Sequence, residues 1–508
     1  MSIARKILSN TLAQILGKAG VALFGLMVVK IATTYLSVEG YGEYVLVYDF
    51  LSFFGIAADL GLYTIAVRDM AENEDRMPQI IGNILSLRTI LMTLMMAVSI
   101  AAAFLIPAYA NTRIPLGVIF ATFTVWGTLL NGTITSVLQV KLKMHLASIA
   151  TVFGKAVSVG CMAYIIFIGF PEDNIMGFYW LIVAGNIGTL AMLLPTIYWA
   201  KKITKIEYKF DWNLWKDIMK RSLPYGIALI LSTVYFRMNS ILISLFRGQA
   251  EVGIYAVAMR MLEQLIVIPL YFMNSVLPIL TKALKEKSDK YKKIISYSFD
   301  FLVSLSFPMV VGGVLLAYPI IFIVSTPDYL SRISDGFYGS DIAFQILIVA
   351  LLFQFLNMLS NFILVALNKQ AKLLYINGGC VLFNIILNVI FIPRFGFRGA
   401  CMTAVFSEAF IFVASMSTSR HYLKFSINYW NVVKIAFSAL VMGAVIYLLQ
   451  PTTYSLMQNW GVLLLVVIGT IVYVAMLFAT KVVSKDMLKL LKNVEENPGP
   501  EIVDQGQL

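Results

Sequence analysis

The sequence predicts an all-α polytopic membrane protein of about fourteen transmembrane helices, and three observations carry that expectation. Of its 508 residues 59% are hydrophobic and only 13% charged, against about 25% charged in soluble domains, so the apolar excess must face lipid. Nearly uncharged runs of about 20 residues recur along the whole chain, each long enough to cross a hydrocarbon core of about 30 Å at about 1.5 Å per residue. The runs do not alternate as barrel strands do, and in lipid only helices and closed barrels satisfy their own backbone groups.

In order, the expected spans are 12–36, 44–67, 80–106, 115–138, 148–170 and 177–199, then 222–246, 253–281, 294–323, 342–367, 374–392, 399–419, 432–449 and 460–480. Arg5 and Lys6 precede the first span without a small-residue cleavage site, which reads as an uncleaved first helix. An even number of crossings places both termini on one side. Lys and Arg fix which side, because they accumulate in segments that are not translocated. With the amino terminus inside, the outer loops hold only Arg113, Arg247, Arg332, Arg394 and Arg398 of the 39 basic residues, and seven lie within spans. Both termini are therefore expected to be cytoplasmic. The net charge of +12 thus belongs to membrane-facing loops and to no nucleic-acid surface. Two inner loops dominate it, Lys201–Arg221, with Trp212 and Trp215 in an amphipathic stretch, and Lys282–Lys293; both read as interfacial.

The loop after the sixth span divides the chain into an expected six-helix lobe at 1–210, a second at 211–430, two additional helices at 431–480 and a cytoplasmic, disordered tail at 481–508. A weak repeat supports the division: Glu39 and Gly42-Glu43-Tyr44 open the second span as Glu251 and Gly253-Ile254-Tyr255 open the eighth. An even number of intervening helices keeps the copies parallel, as in transporters whose path runs between two bundles.

Ionisable groups inside spans cost a few kcal/mol each and so need a role or a route to water. Lys434 and Asp300 lie near span ends, and Arg260 can pair with Glu263 one turn on; Glu408 is also embedded. Lys18, Lys30, Arg88 and Lys155 all belong to the first six spans, where only Asp49 and Asp59 oppose them. The resulting positive interior suits an anionic group, a phosphate above all, held by Lys point charges and the Arg88 fork. Arg237, midway along its span, joins these candidates because at that depth it must line a cavity.

Other chemistries find little support. No G-x-x-x-x-G-K-[ST] loop occurs for nucleotide hydrolysis. His145 and His421 stand apart in inner loops, and Cys161, Cys380 and Cys401 are scattered within spans, so no metal site is expected. Asp328, Asp335 and Asp341 share the longest outer loop without partners for catalysis, and the chain is not read as an enzyme.

Leu36-Ser37-Val38-Glu39-Gly40-Tyr41-Gly42-Glu43-Tyr44, Asp59-Leu60-Gly61-Leu62 leading to Arg68, Arg88, Val252-Gly253-Ile254-Tyr255-Ala256-Val257-Ala258 and Phe395-Gly396-Phe397-Arg398-Gly399-Ala400 together resemble the polysaccharide flippases of the multidrug, oligosaccharidyl-lipid and polysaccharide exporter superfamily, which includes O-antigen and capsule flippases. The resemblance implies two lobes around a V-shaped central cavity that opens alternately to each side of the cytoplasmic membrane. Its cargo would be a polyprenyl-diphosphate-linked oligosaccharide, with membrane lipids and glycan assembly enzymes as partners. No cofactor is implied beyond coupling to H+ or Na+. Family members often carry an acid in helix seven where this chain has Asn239; Asp49 and Asp59 remain as the coupling candidates. The alternatives are a peptidoglycan-precursor flippase, a multidrug exporter of the same superfamily, and, from another class, a membrane glycosyltransferase or polymerase. Asn493–Pro500 is similar to the end of viral ribosome-skipping peptides and reads as a coincidence in a polar tail.

Overall fold

The structure, a computed structural model, describes residues 3–286 and 289–482, with side chains described from Gly17 onward except at 224, 225, 228 and 232. The tail motif at 493–500 lies outside the described residues. The chain is an all-α polytopic membrane protein, with no strand among the described residues. Its helices in the first half are α1 (Ile3–Tyr35), α2 (Val38–Asp59), α3 (Leu62–Glu72), α4 (Met77–Leu105), α5 (Ile114–Val140), α6 (Met144–Tyr164), α7 (Asn174–Lys201) and α8 (Trp212–Arg247). Those that follow are α9 (Gln249–Lys285), α10 (Lys290–Leu315), α11 (Ala317–Val324), α12 (Ser340–Ala366), α13 (Gln370–Phe395), α14 (Phe397–Tyr422), α15 (Tyr429–Met457) and α16 (Gly461–Ala479).

Thirteen segments of the described residues are long and apolar enough to cross a bilayer. The last, Tyr429–Ala479, spans 51 residues and contains α15 and α16, which pack on each other through Gly469, whose Cβ would meet Ile446. Doubling back makes it two crossings, fourteen in all. Local chemistry sets the ends of several helices. Ser37 accepts from Gly40 N at 3.0 Å to open α2, and Asp173 and Asp211 do the same for α7 and α8.

Two elements depart from the expected spans. The span at 44–67 is broken: Leu60 and Gly61 both take left-handed backbone (φ 44° and 72°), ending α2 and starting α3. Gly226 of α8 lies against this break, where a Cβ would stand 2.8 Å from Leu60 Cα. α8 is longer than expected, running unbroken from Trp212, so the amphipathic stretch and the seventh span are one helix.

By contacts the described chain forms two compact units that divide between Gly253 and Ile254. α8 therefore groups with the first unit. In the first unit α2 is the central element, buried along most of its length and packed by α4, α5 and α8. In the second, α10, α12, α14 and α15 form the packed interior, with α13 against α14 and α16 against α15.

The paired motifs of the sequence meet. A Cβ at Gly42 would lie 1.9 Å from Gln249 O, and one at Gly253 would lie 2.2 Å from Val38 O. Residues 249–253, which belong to the first unit, therefore lie with backbone against the start of α2, a closeness only glycine permits.

Candidate functional site

Within the first unit, α2 carries both embedded acids of the spans, and each meets an arginine from a neighbouring helix. Asp59, at the last turn before the break, accepts from Arg88 Nη2 of α4, while Arg88 Nη1 donates to Thr133 Oγ1 of α5 at 2.8 Å. The side chains are 3% and 9% exposed. Asp49, higher on α2, accepts from Arg237 Nη1 of α8 at 2.9 Å, and here Arg237 is 13% exposed. Two of the candidate cations are thus charge-balanced by the two candidate coupling carboxylates. Removing one member of such a pair leaves a buried charge without its counter-ion, so both pairs also clamp α2 to its neighbours.

The lysines fall on different faces. α1 and α6 pack in parallel: Gly17 lies against Ser148 and Gly20 against Val152. At about 100° per residue, Lys18 shares a face of α1 with Val29, Ala32 and Leu36, all buried, and with Gly25, where an added Cβ would meet nothing within 4 Å. On α6, Gly154 and Ser158 face α7 through Gly188, and Ile149, Phe153 and Tyr164 form an exposed apolar stripe. Lys155 is exposed on the opposite side from that stripe, three residues after Val152 and hence near the level of Gly25. Lys18 and Gly25 thus share one face of α1, and Lys155 lies on the face of α6 away from its apolar stripe. Lys30 lies on the other side, in line with exposed Leu23 and Met27, where its ammonium can snorkel.

One end of the unit is held by Arg113, whose Nε donates to Glu43 Oε2 at 2.5 Å and whose guanidinium lies 4.6 Å from the Phe178 ring centroid. At the opposite end Arg221 of α8 grips Asp69 of α3 with two bonds of 2.7 and 2.8 Å. This fork raises the Arg221 guanidinium above its ordinary value.

A second polar constellation, in the other unit, was foreshadowed only by Glu408. That carboxylate, on α14, accepts from Gln354 Nε2 at 3.0 Å and Asn357 Nδ2 at 2.6 Å, both of α12. Next to it Asn384 of α13 donates to Ser407 Oγ at 3.1 Å and accepts from Asn388 at 2.8 Å. The signal that marks this cluster in sequence is the spacing of amides one turn apart: Gln354 and Asn357, Asn384 and Asn388. Thr133, the second anchor of Arg88, carried no signal of its own.

Comparison with known proteins then places the chain. The family model described as "Polysaccharide biosynthesis protein" matches residues 4–284, more than half of the 508 residues. The chain belongs to this family. A second model, MatE, matches residues 224–390. Both matches fit the multidrug, oligosaccharidyl-lipid and polysaccharide superfamily of flippases and exporters expected from the sequence motifs.

Among solved structures, a lipid II flippase, MurJ, in an inward closed conformation is similar over 92% of this chain and 97% of its own, with TM-score 0.71 at 13% identity. An inward-facing multidrug resistance MATE family transporter aligns with TM-score 0.61 at 16% identity over 86% and 95%. A MOP superfamily transporter from Pyrococcus furiosus aligns with TM-score 0.54 at 15% identity over 85% and 94%. At these identities the likeness is one of fold. An uncharacterised membrane protein of Methanocaldococcus jannaschii is 31% identical over 235 residues, which is 43% of this chain and 43% of that relative. The match thus spans under half the length of that curated relative.

Proposed function

We propose that this polysaccharide biosynthesis family member moves a polyprenyl-diphosphate-linked oligosaccharide from the cytoplasmic to the outer leaflet of the cytoplasmic membrane, by alternating access, for cell-surface polysaccharide assembly of the O-antigen or capsule type. The observation that supports this reading is the placement of Lys18 and Lys155 at membrane depth on the packed α1–α6 pair, with Gly25 on the same face as Lys18. Embedded lysines there suit a diphosphate, whose oxygens accept from point-charge donors. The family match supports the glycan half of the cargo.

Coupling through Asp49 or Asp59 needs its arginine to find another anion. The diphosphate is such an anion: when Arg237 turns to the cargo, Asp49 is left to take H+ or Na+. Arg237 suits the exchange better than Arg88, being 13% exposed against 3%.

The likeness to a lipid II flippase favours, as a second reading, a peptidoglycan lipid precursor as cargo. Cationic drugs fit less well, since they select acidic or aromatic cavities. Lipid extraction from cells lacking the protein decides among these. Accumulation of a polyprenyl-diphosphate oligosaccharide with loss of surface glycan is the expected result. Unchanged lipid-linked sugars with altered tolerance of cationic drugs would move the protein to the exporter branch, and loss of the lipid-linked species itself would indicate an enzyme.

Within this reading, Lys155→Ala and Lys18→Ala are expected to abolish export at normal membrane abundance. Normal surface glycan in both variants would remove these lysines from cargo binding.

A further inference from the structure

The segment joining α7 to α8 is not a slack loop. Residues 207–211 lie extended along the start of α4, with Lys209 N donating to Gly82 O at 3.2 Å and Asp211 N donating to Asn83 Oδ1 at 2.7 Å. Asn83 is 1% exposed and is itself fixed by donating to Gln79 O at 2.9 Å. Gly82 permits the approach, because a Cβ there would come within 2.4 Å of Glu207 O. In an extended segment successive side chains point to opposite sides. With the odd-numbered backbone held to α4, Tyr208 and Phe210 are turned outward, and Trp212 continues them at the first turn of α8; the three are 61%, 69% and 56% exposed.

These rings form a continuous surface. Phe210 stacks on Trp212 with centroids 6.4 Å apart and meets the buried Trp215 at 4.6 Å. Basic groups frame it. Lys216 Nζ lies 5.4 Å from the Trp212 centroid, Lys220 follows one turn later on the same stripe, and Lys209 lays its stem across Gly82 with its ammonium exposed. Of the neighbouring acids, Asp211 caps Asn213 N and Leu214 N and Asp217 bonds Arg221 at 2.8 Å, which leaves exposed Glu207 against the four basic groups Lys205, Lys209, Lys216 and Lys220. Burying three large rings needs an apolar medium, and the lysines beside them need anions. An aqueous loop would supply neither, and a lipid headgroup region supplies both.

We propose that Tyr208, Phe210 and Trp212, with Lys209, Lys216 and Lys220, form a docking surface for anionic phospholipids, the rings entering the interfacial zone and the lysines holding phosphate groups. Because the segment is tied to α4 and opens α8, the lipid contact bears directly on the helix that carries Arg237.

The test places a nitroxide at Asn213→Cys in a Cys161→Ser background of the full chain, reconstituted either in phosphatidylcholine or in phosphatidylcholine with one third phosphatidylglycerol. Collision rates with oxygen and with a water-soluble nickel chelate report immersion. With phosphatidylglycerol present the label is expected to favour oxygen. In pure phosphatidylcholine, and in the Lys209→Gln/Lys216→Gln/Lys220→Gln variant with either lipid, that preference should fall by about tenfold or more. A label open to the chelate in both lipids overturns the proposal, and so does an oxygen preference indifferent to lipid charge and to the lysines. Shielding from both reagents in native membranes alone would make the surface a protein-docking site and overturn it equally. Circular dichroism of the variant checks that the helices are retained.

Discussion

Arg88 separates two kinds of buried charge. The sequence marks it as a cation in a span, which is correct, but its partner Asp59 is 29 residues away and on another helix, so nothing local announces the pair. The same holds for Asp49 and Arg237, separated by 188 residues. Embedded charges are legible as single letters; their pairing depends on which helices become neighbours. The pairs give a prediction at this scale. Arg88→Ala should lower stability by about 3–5 kcal/mol, because Asp59 stays buried without its counter-charge, and Arg88→Met with Asp59→Leu should regain most of that loss. Thermal unfolding of the detergent-purified variants measures both, and equal stability of wild type and Arg88→Ala would show that the pair does not clamp α2. Lys155, exposed on α6, should by contrast lose transport at unchanged stability when replaced by Ala.

Helices were the most legible level. Apolar run length located each span, since crossing a bilayer imposes a length on any helix. What composition could not show was the break at Leu60 and Gly61, an apolar-looking dipeptide whose backbone is left-handed, or the fusion of the amphipathic Trp212 stretch with α8, which depends on Asp211 as a cap. Helix contacts in this protein also rely on small residues, as expected where lipid offers apolar side chains no advantage in burying themselves. α6 and α7 approach through Gly154 and Gly188, and a Cβ at either would stand within 2.7 Å of the other's carbonyl oxygen. Gly154→Leu should therefore force the pair apart, costing at least the roughly 1–3 kcal/mol of overpacking, while Gly160→Leu, where a Cβ meets nothing within 4 Å, should be tolerated. Melting temperatures of the two variants in detergent give the comparison, and equal values would count against close α6–α7 packing.

For the whole molecule, we propose from the distribution of Lys and Arg that both ends of the helical array lie on the cytoplasmic side. Impermeant thiol reagents should label Ser334→Cys in intact cells and Lys205→Cys only after permeabilisation. Background should be low, since Cys380 and Cys401 are buried and Cys161 half-buried; the reverse pattern would invert the topology. The largest-scale feature expected from the letters, the repeat, rests on a handful of residues around Gly42 and Gly253. The structure brings the segments of these two glycines together within the first unit. Gly42 lies against Gln249 and Gly253 against Val38, so each contact is the other with the roles of the two segments exchanged. A side chain at either glycine would therefore press on backbone of the facing segment, so Gly42 and Gly253 guard one joint from its two sides.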